Sequence, residues 1–103
     1  MIFVAGTLTI DPAACDSFAR DMAAIVDQVR AEAGCHHYSL LVENAGTGLV
    51  NVLEQWTDDA ALLAHFAEPW TAEFFRRQGP NIRVSDVRIF DIAGERPMLT
   101  IPS

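Results

Sequence analysis

Apolar and polar residues alternate with two different periods along this 103-residue chain. A period of two predicts four buried or half-buried strands. They are Ile2–Ile10, Cys35–Glu43, Leu49–Trp56 and Val84–Ile92. A period of 3.6 predicts a first helix from about Pro12 to Glu32 and a second helical region from Asp58 to Gln78.

Local signals mark the ends of the helices. Asp11 caps free amides, and Pro12 takes a first helical position at which no hydrogen bond is lost. Gly34 ends the first helix with a left-handed residue. Pro69 has no amide hydrogen, so it divides the second region into one piece ending at about Ala67 and another beginning at about Pro69. In the first piece we expect a buried stripe of Leu62, Leu63 and Phe66.

The element order β-α-β-β-α-β predicts a ferredoxin-like α+β fold over residues 1–92. In this fold, four antiparallel strands carry two helices on one face. Because the strands are apolar on both faces, we expect the second face to pack against another copy, which gives a dimeric α+β barrel. Residues 93–103 form a tail, and Met98-Leu99-Thr100-Ile101 is expected to form a short strand or to pack on the partner subunit.

Charge narrows the possible partners. The net charge is −7, and Arg76-Arg77 is the longest basic run, so neither nucleic acid nor an anionic membrane is expected as a partner.

The sequence contains no stretch of about 20 apolar residues and no recognisable signal peptide. We therefore expect a cytoplasmic protein, in which Cys15 and Cys35 stay reduced as core residues.

No metal or nucleotide motif is present in the sequence. His36 and His37 are adjacent on a predicted strand and should point to opposite faces, and His65 is followed four residues later by Pro69 rather than by a ligand. The remaining candidates are Trp56, at the end of a strand, and His65, on the flank of the helical stripe where a pocket rim would lie. The alternatives are a core tryptophan and a solvent-exposed histidine.

Other side chains lie within possible reach of this pocket. Tyr38 is either a pocket residue or a packed strand aromatic, and Arg76 either binds a ligand or complements a helix C-terminus. Asn51 points away from Trp56 in a regular strand, so a bulge would be needed to bring it to the pocket. Phe66 and Trp70 complete the substrate-binding candidates.

The chain resembles the antibiotic-biosynthesis-monooxygenase-like family of small dimeric α+β-barrel proteins. The matching stretches are Ile2–Ile10, Glu32-Ala33-Gly34-Cys35-His36-His37-Tyr38, and Leu53-Glu54-Gln55-Trp56 followed by Ala61-Leu62 and His65. The pattern Glu-x-Trp…Leu-x-x-His is the specific part.

The resemblance implies a monooxygenase that uses molecular oxygen without flavin, metal or nicotinamide. It implies electron-rich planar substrates such as phenols, anthrones or quinols, which supply the electrons after losing a proton. Trp56 would then contact the aromatic ring and His65 would act as base or hydrogen-bond partner. Tyr38 or Arg76 would stabilise the resulting anion.

Two alternatives remain. Heme-binding or heme-degrading relatives share the fold, but they carry an asparagine on the first strand, and Phe3-Val4-Ala5-Gly6-Thr7-Leu8 has none. Many family members also carry a second histidine a few residues beyond the first, in the region where this chain has Trp70. The second alternative is a non-catalytic dimeric module that binds small molecules or acts in a stress response.

Overall fold

Four strands and three helices follow one another in the predicted order. The computed structural model describes residues 1–102. The strands are β1 (Ile2–Ile10), β2 (Cys35–Asn44), β3 (Leu49–Trp56) and β4 (Ile82–Asp91), and the helices are α1 (Cys15–Arg30), α2 (Asp59–Ala67) and α3 (Pro69–Gln78). Short 3-10 turns at Pro12–Ala14 and Gly79–Asn81 precede α1 and follow α3.

The sheet is antiparallel with strand order β2-β3-β1-β4. This order places the two central strands, β1 and β3, side by side, and it is the arrangement of a ferredoxin-like fold. The predicted fold class is confirmed. Among the described residues, β2 and β4 are the sheet edges.

The core lies between the helices and one face of the sheet. Along β3 the alternate residues Val50, Val52, Glu54 and Trp56 are buried, so this strand turns that side to the helices. From α1, Phe18, Met22 and Val29 follow the helical period and close the core from the other side.

The ends of α2 and α3 agree with the prediction, whereas α1 begins three residues after Pro12 and has no side-chain cap. The Asp58 carboxylate accepts a hydrogen bond from the Ala61 amide at 2.9 Å and begins α2. Glu68 takes an extended conformation because Pro69 follows it, which separates α2 from α3. Helix α1 ends at Arg30, two residues before the predicted end, and Gly34, at φ +82°, turns the chain into β2.

The alternation of β2 is interrupted at its start. Cys35 pairs with Trp56 and His37 pairs with Gln55, so His36 is an extra residue in a β-bulge. The prediction that His36 and His37 follow a regular alternation is therefore wrong. His36 Nε2 lies 2.8 Å from the Thr57 hydroxyl and ties the bulge to the start of α2.

The sheet face away from the helices, here called the open sheet face, retains apolar side chains. Leu41, Leu53 and Phe90 are 66%, 43% and 51% exposed. Dimer formation through this face stays a prediction. None of the helices formed by the described residues is long and apolar enough to cross a membrane.

The tail leaves β4 without further regular structure. Residues 92–102 form neither helix nor strand, so the strand expected at Met98–Ile101 is absent from the single chain. A strand needs a neighbouring backbone to pair with, and this segment has none in the described residues. Met98, Leu99 and Ile101 are 84%, 70% and 76% exposed, and their packing on a partner subunit stays a prediction.

Candidate functional site

His65 lies on the buried side of α2. Its side chain is 1% exposed, whereas Leu63 and Phe66 are 66% and 50% exposed. The predicted buried stripe is therefore wrong for Leu63 and Phe66, although Leu62 is buried. The rim position predicted for His65 is also wrong. The inward side of α2 is formed by Leu62 and His65, three residues apart.

A buried carboxylate accounts for the inward position of His65. Glu32, in the turn after α1, places Oε1 and Oε2 at 3.0 and 3.1 Å from His65 Nδ1. The Glu32 side chain is 7% exposed. It also accepts a 2.9 Å hydrogen bond from Trp70 Nε1, and the Thr71 hydroxyl lies 3.3 Å from His65 Nδ1. One carboxylate thus joins the turn after α1 to both α2 and α3.

The hydrogen bond to Glu32 determines which imidazole nitrogen carries hydrogen. A carboxylate can only accept, so Nδ1 of His65 donates. In the neutral ring Nε2 is then the acceptor nitrogen. This arrangement gives His65 the chemistry of a base whose orientation is fixed by a carboxylate.

Aromatic rings surround the imidazole. The Trp56 ring centroid lies 4.8 Å from that of His65 with an interplanar angle of 35°, and Tyr38 meets His65 edge-on at 5.3 Å. Trp56 and Tyr38 are 0% and 2% exposed. Glu32, Tyr38, Trp56, His65 and Trp70 are here called the buried site.

A second carboxyl group holds the tryptophan. Glu54 Oε1 accepts a 3.0 Å hydrogen bond from Trp56 Nε1. Burial raises the pKa of Glu54 to about 7; the Trp56 hydrogen bond opposes this rise, and the Glu32 charge adds to it. Burial, followed by the Glu54 and Glu32 charges, also raises the pKa of Tyr38 well above its ordinary value, so its hydroxyl stays protonated.

The structure brings together four of the seven predicted site residues: Trp56, His65, Tyr38 and Trp70. Phe66 contacts the outer side of the group, with its ring centroid 5.7 Å from that of His65. The functional roles assigned to these residues stay predictions.

Asn51 and Arg76 lie elsewhere. The pairing of β3 with β1 is regular, so Asn51 stays on the open sheet face, where it donates to Glu43 Oε1 at 3.1 Å. Arg76 is 70% exposed and pairs with Glu73 one helical turn earlier on α3. Neither side chain reaches the buried site, because strand parity and helix phase direct both of them outward.

Glu32 and Glu54 were missing from the candidates based on sequence. Glu54 had a visible signal, since it is a charged residue at a buried position of the strand that contains Val50, Val52 and Trp56. Glu32 had only its place at the start of the stretch Glu32–Tyr38 that carries the family resemblance. Its partner His65 is 33 residues away in the chain, so spacing alone does not connect them.

Trp56 and His65 are enclosed in the single chain, whereas Tyr38 and Trp70 each line a surface groove. One groove, of about 220 Å³, runs between α1 and β2 and includes Met22, Val26 and Leu40 in its lining. Another, of about 280 Å³, includes Arg30, His36 and His37. Within residues 1–102, no group of three or more His, Cys, Asp or Glu side chains is placed to hold a metal ion.

Comparison with known proteins finds one similar sequence and several similar structures. The chain is 28% identical over 94 residues to an uncharacterized protein of Synechocystis sp., sll1783, and the match covers 89% of this chain and 63% of that protein. A crystal structure of an antibiotic biosynthesis monooxygenase superposes with a TM-score of 0.79 at 26% identity, covering 91% of this chain and 100% of that chain. The structure of PA3566 from Pseudomonas aeruginosa gives 0.72 at 29% identity, covering 92% and 94%.

The family model described as antibiotic biosynthesis monooxygenase matches residues 1–77, which include β1 to β3, all three helices except the last residue of α3, and the whole buried site. Together with the structural neighbours, this match shows the family and the fold. The chain belongs to the antibiotic biosynthesis monooxygenase family.

Proposed function

We propose that this protein is a cofactor-independent monooxygenase that oxidises a planar phenolic, anthrone or quinol-like small molecule with O2. The observation that supports this most is the buried Glu32–His65 pair beside the rings of Trp56 and Tyr38. The pair offers a base of fixed orientation, and the rings offer flat surfaces to an aromatic substrate.

In the proposed reaction, His65 Nε2 takes a proton from the activated C–H or O–H group of the substrate. The resulting anion passes one electron to O2, the radical and superoxide combine, and the peroxide anion takes the proton back from His65 to form a hydroperoxide. Loss of water from the peroxide leaves a carbonyl group on the substrate. One oxygen atom therefore ends in the product and the other in water, and the substrate supplies all the electrons, so the proposal requires no flavin, metal or nicotinamide.

Access to the base requires movement. Trp56 has no exposed surface and His65 almost none, so a substrate must displace something to reach Nε2. Helix α2 carries His65 and is bounded by two extended residues, Asp58 and Glu68. We propose that α2 moves away from the sheet when substrate enters.

The same closure supports a second candidate, a non-catalytic module in which Glu32, His65 and Trp70 form a polar part of the core. This candidate predicts that the buried site never opens and that no substrate is turned over.

We further propose that the protein is a cytoplasmic homodimer formed through the open sheet face. The exposed apolar side chains of Leu41, Leu53 and Phe90 support the interface.

Oxygen uptake with a panel of anthrones and quinols tests the monooxygenase. We expect one O2 consumed per substrate oxidised by the wild type, and a loss of about 100-fold or more in His65→Ala. Arg20→Ala, on an exposed position of α1, is the matched control and should keep full activity.

Two results would contradict the proposal. The first is no uptake with any member of the panel, which favours the non-catalytic module. The second is full activity in a variant lacking both Trp56 and His65. A heme titration separates the heme-binding alternative, which predicts a Soret shift that disappears in His65→Ala.

A further inference from the structure

Glu54 is a buried carboxyl group that the proposed reaction leaves without a role. Its side chain is 8% exposed and belongs to the helix-facing side of β3, where its neighbours in the strand are Val52 and Trp56. It pairs with Val4 of β1 and with Tyr38 of β2. A carboxyl group at such a position is costly, because burial removes its hydration.

One strong contact compensates for part of this cost. Trp56 Nε1 donates to Glu54 Oε1 at 3.0 Å, and among the described residues this is the hydrogen bond that Glu54 receives. The indole is therefore fixed at its nitrogen end by Glu54, while its ring lies against His65 at 4.8 Å. Glu54 and His65 thus contact the same indole from two sides.

The charged and titratable groups around Glu54 come from several elements. Glu32 lies on the turn after α1, and Tyr38 and Cys35 lie on β2, while β1 contributes the apolar Val4. His65 of α2 contacts the Trp56 ring that Glu54 holds. Arg30 of α1 turns its guanidinium to the Tyr38 carbonyl oxygen at 3.1 Å rather than to Glu54. With burial and the Glu32 charge both opposing ionisation, the pKa of Glu54 rises to about 7.

We propose that Glu54 is a positioning residue of the buried site, whose ionised carboxylate holds the Trp56 indole against His65 and whose protonation loosens that hold. An ionised acceptor binds an N–H group more strongly than a neutral carboxyl group does. The orientation of the ring that a substrate would contact therefore depends on pH. The catalytic consequence of this inference rests on the proposed function, but the change at Trp56 does not.

The indole N–H resonances in a two-dimensional nitrogen–proton NMR spectrum report on this hydrogen bond directly. The chain has two tryptophans, and Trp70→Phe assigns the remaining signal to Trp56. Between pH 5 and 9 we expect the Trp56 signal to shift with a midpoint near 7. Glu54→Gln keeps an acceptor oxygen but cannot ionise, so this shift should disappear.

Glu43→Gln is the matched control, because Glu43 is an exposed carboxylate on the neighbouring strand β2. The shift of Trp56 should persist unchanged in this variant. If the shift persists in Glu54→Gln, another group causes it and the proposal is overturned. If Glu54→Gln does not fold, the chemical shift of the Glu54 side-chain carboxyl carbon is followed against pH in the wild type. A midpoint of this titration more than about one pH unit below the midpoint of the Trp56 shift overturns the proposal.

These NMR measurements need no substrate, so a negative result in them is distinguishable from a negative result in the oxygen-uptake assay. Absent oxygen uptake with a normal Trp56 titration contradicts the proposed function and supports the positioning role. Where uptake is observed, Glu54→Gln should flatten the pH profile of activity near 7, whereas Glu43→Gln should not. An unchanged profile in Glu54→Gln overturns the catalytic consequence.

Discussion

Nδ1 of His65 lies 3.0 Å from Oε1 of Glu32, which joins two residues 33 positions apart in the chain. Both side chains are buried, and removal of Glu32 would leave His65 Nδ1 without its carboxylate acceptor. The same carboxylate also receives the Trp70 indole N–H. The contact therefore links the stability of the helical layer to the orientation of the proposed base.

Replacing Glu32 with alanine should destabilise the protein. The change leaves the buried donors His65 Nδ1 and Trp70 Nε1 without their acceptor, which should lower the free energy of unfolding by about 2 to 3 kcal/mol. Urea denaturation measures the loss. Glu73→Ala removes a carboxylate from an exposed pair with Arg76 and should change stability little. Equal effects of the two substitutions would show that Glu32 does not hold the helices together.

Stability should depend on pH through Glu54. Its pKa rises from the ordinary 4.5 to about 7 in the folded chain, so the folded state binds more protons than the unfolded state between these values. The stabilising contribution is therefore complete below about pH 4.5 and is lost as pH rises through about 7. Relative to Glu54→Gln, the wild type should lose about 2 to 3 kcal/mol between pH 5 and pH 8. Denaturation curves of both proteins at the two pH values measure this difference, and a difference of zero would contradict the assignment.

The phase of α2 can be tested with two adjacent leucines. Leu62 is 5% exposed and Leu63 is 66% exposed, although both stand in the same apolar run. Leu62→Ala should cost about 2 to 4 kcal/mol through lost burial and the cavity left behind. Leu63→Ala should cost much less, and thermal or urea unfolding compares the two. The reverse order of effects would mean that α2 faces the sheet with another side.

The homodimer proposal predicts a change of mass in solution. Leu53→Glu places a charge on the open sheet face, where a self-associating surface would have to bury it. Light scattering should then show a shift from the mass of two chains to the mass of one. Leu63→Glu makes the same substitution on the outer side of α2 and should leave the dimer intact. A wild type that already runs as a monomer would rule out this interface.

Local signals in the sequence were sufficient to predict the elements and their order. Strand alternation, the Asp58 cap, the break at Pro69 and the turn at Gly34 each depend on residues within a few positions, so a single sequence shows them. The resemblance to the family rests on the same kind of local pattern. Trp56 and His65 were found in this way and do lie together, with ring centroids 4.8 Å apart.

The phase of α2 was decided by tertiary contacts. Between its acidic first residue and its end, α2 is apolar on nearly all sides except at His65, so hydrophobic periodicity does not indicate which side faces the core. The polar His65 turns inward together with Leu62, because Glu32 offers it a buried acceptor. In the same way, the Glu54–Trp56 hydrogen bond exists because β1, β2 and the helices bury both groups together. The sequence by itself determined the secondary structure, the fold and the family, because these follow from local patterns. Only the tertiary structure decided which charged groups meet, because those contacts join distant parts of the chain.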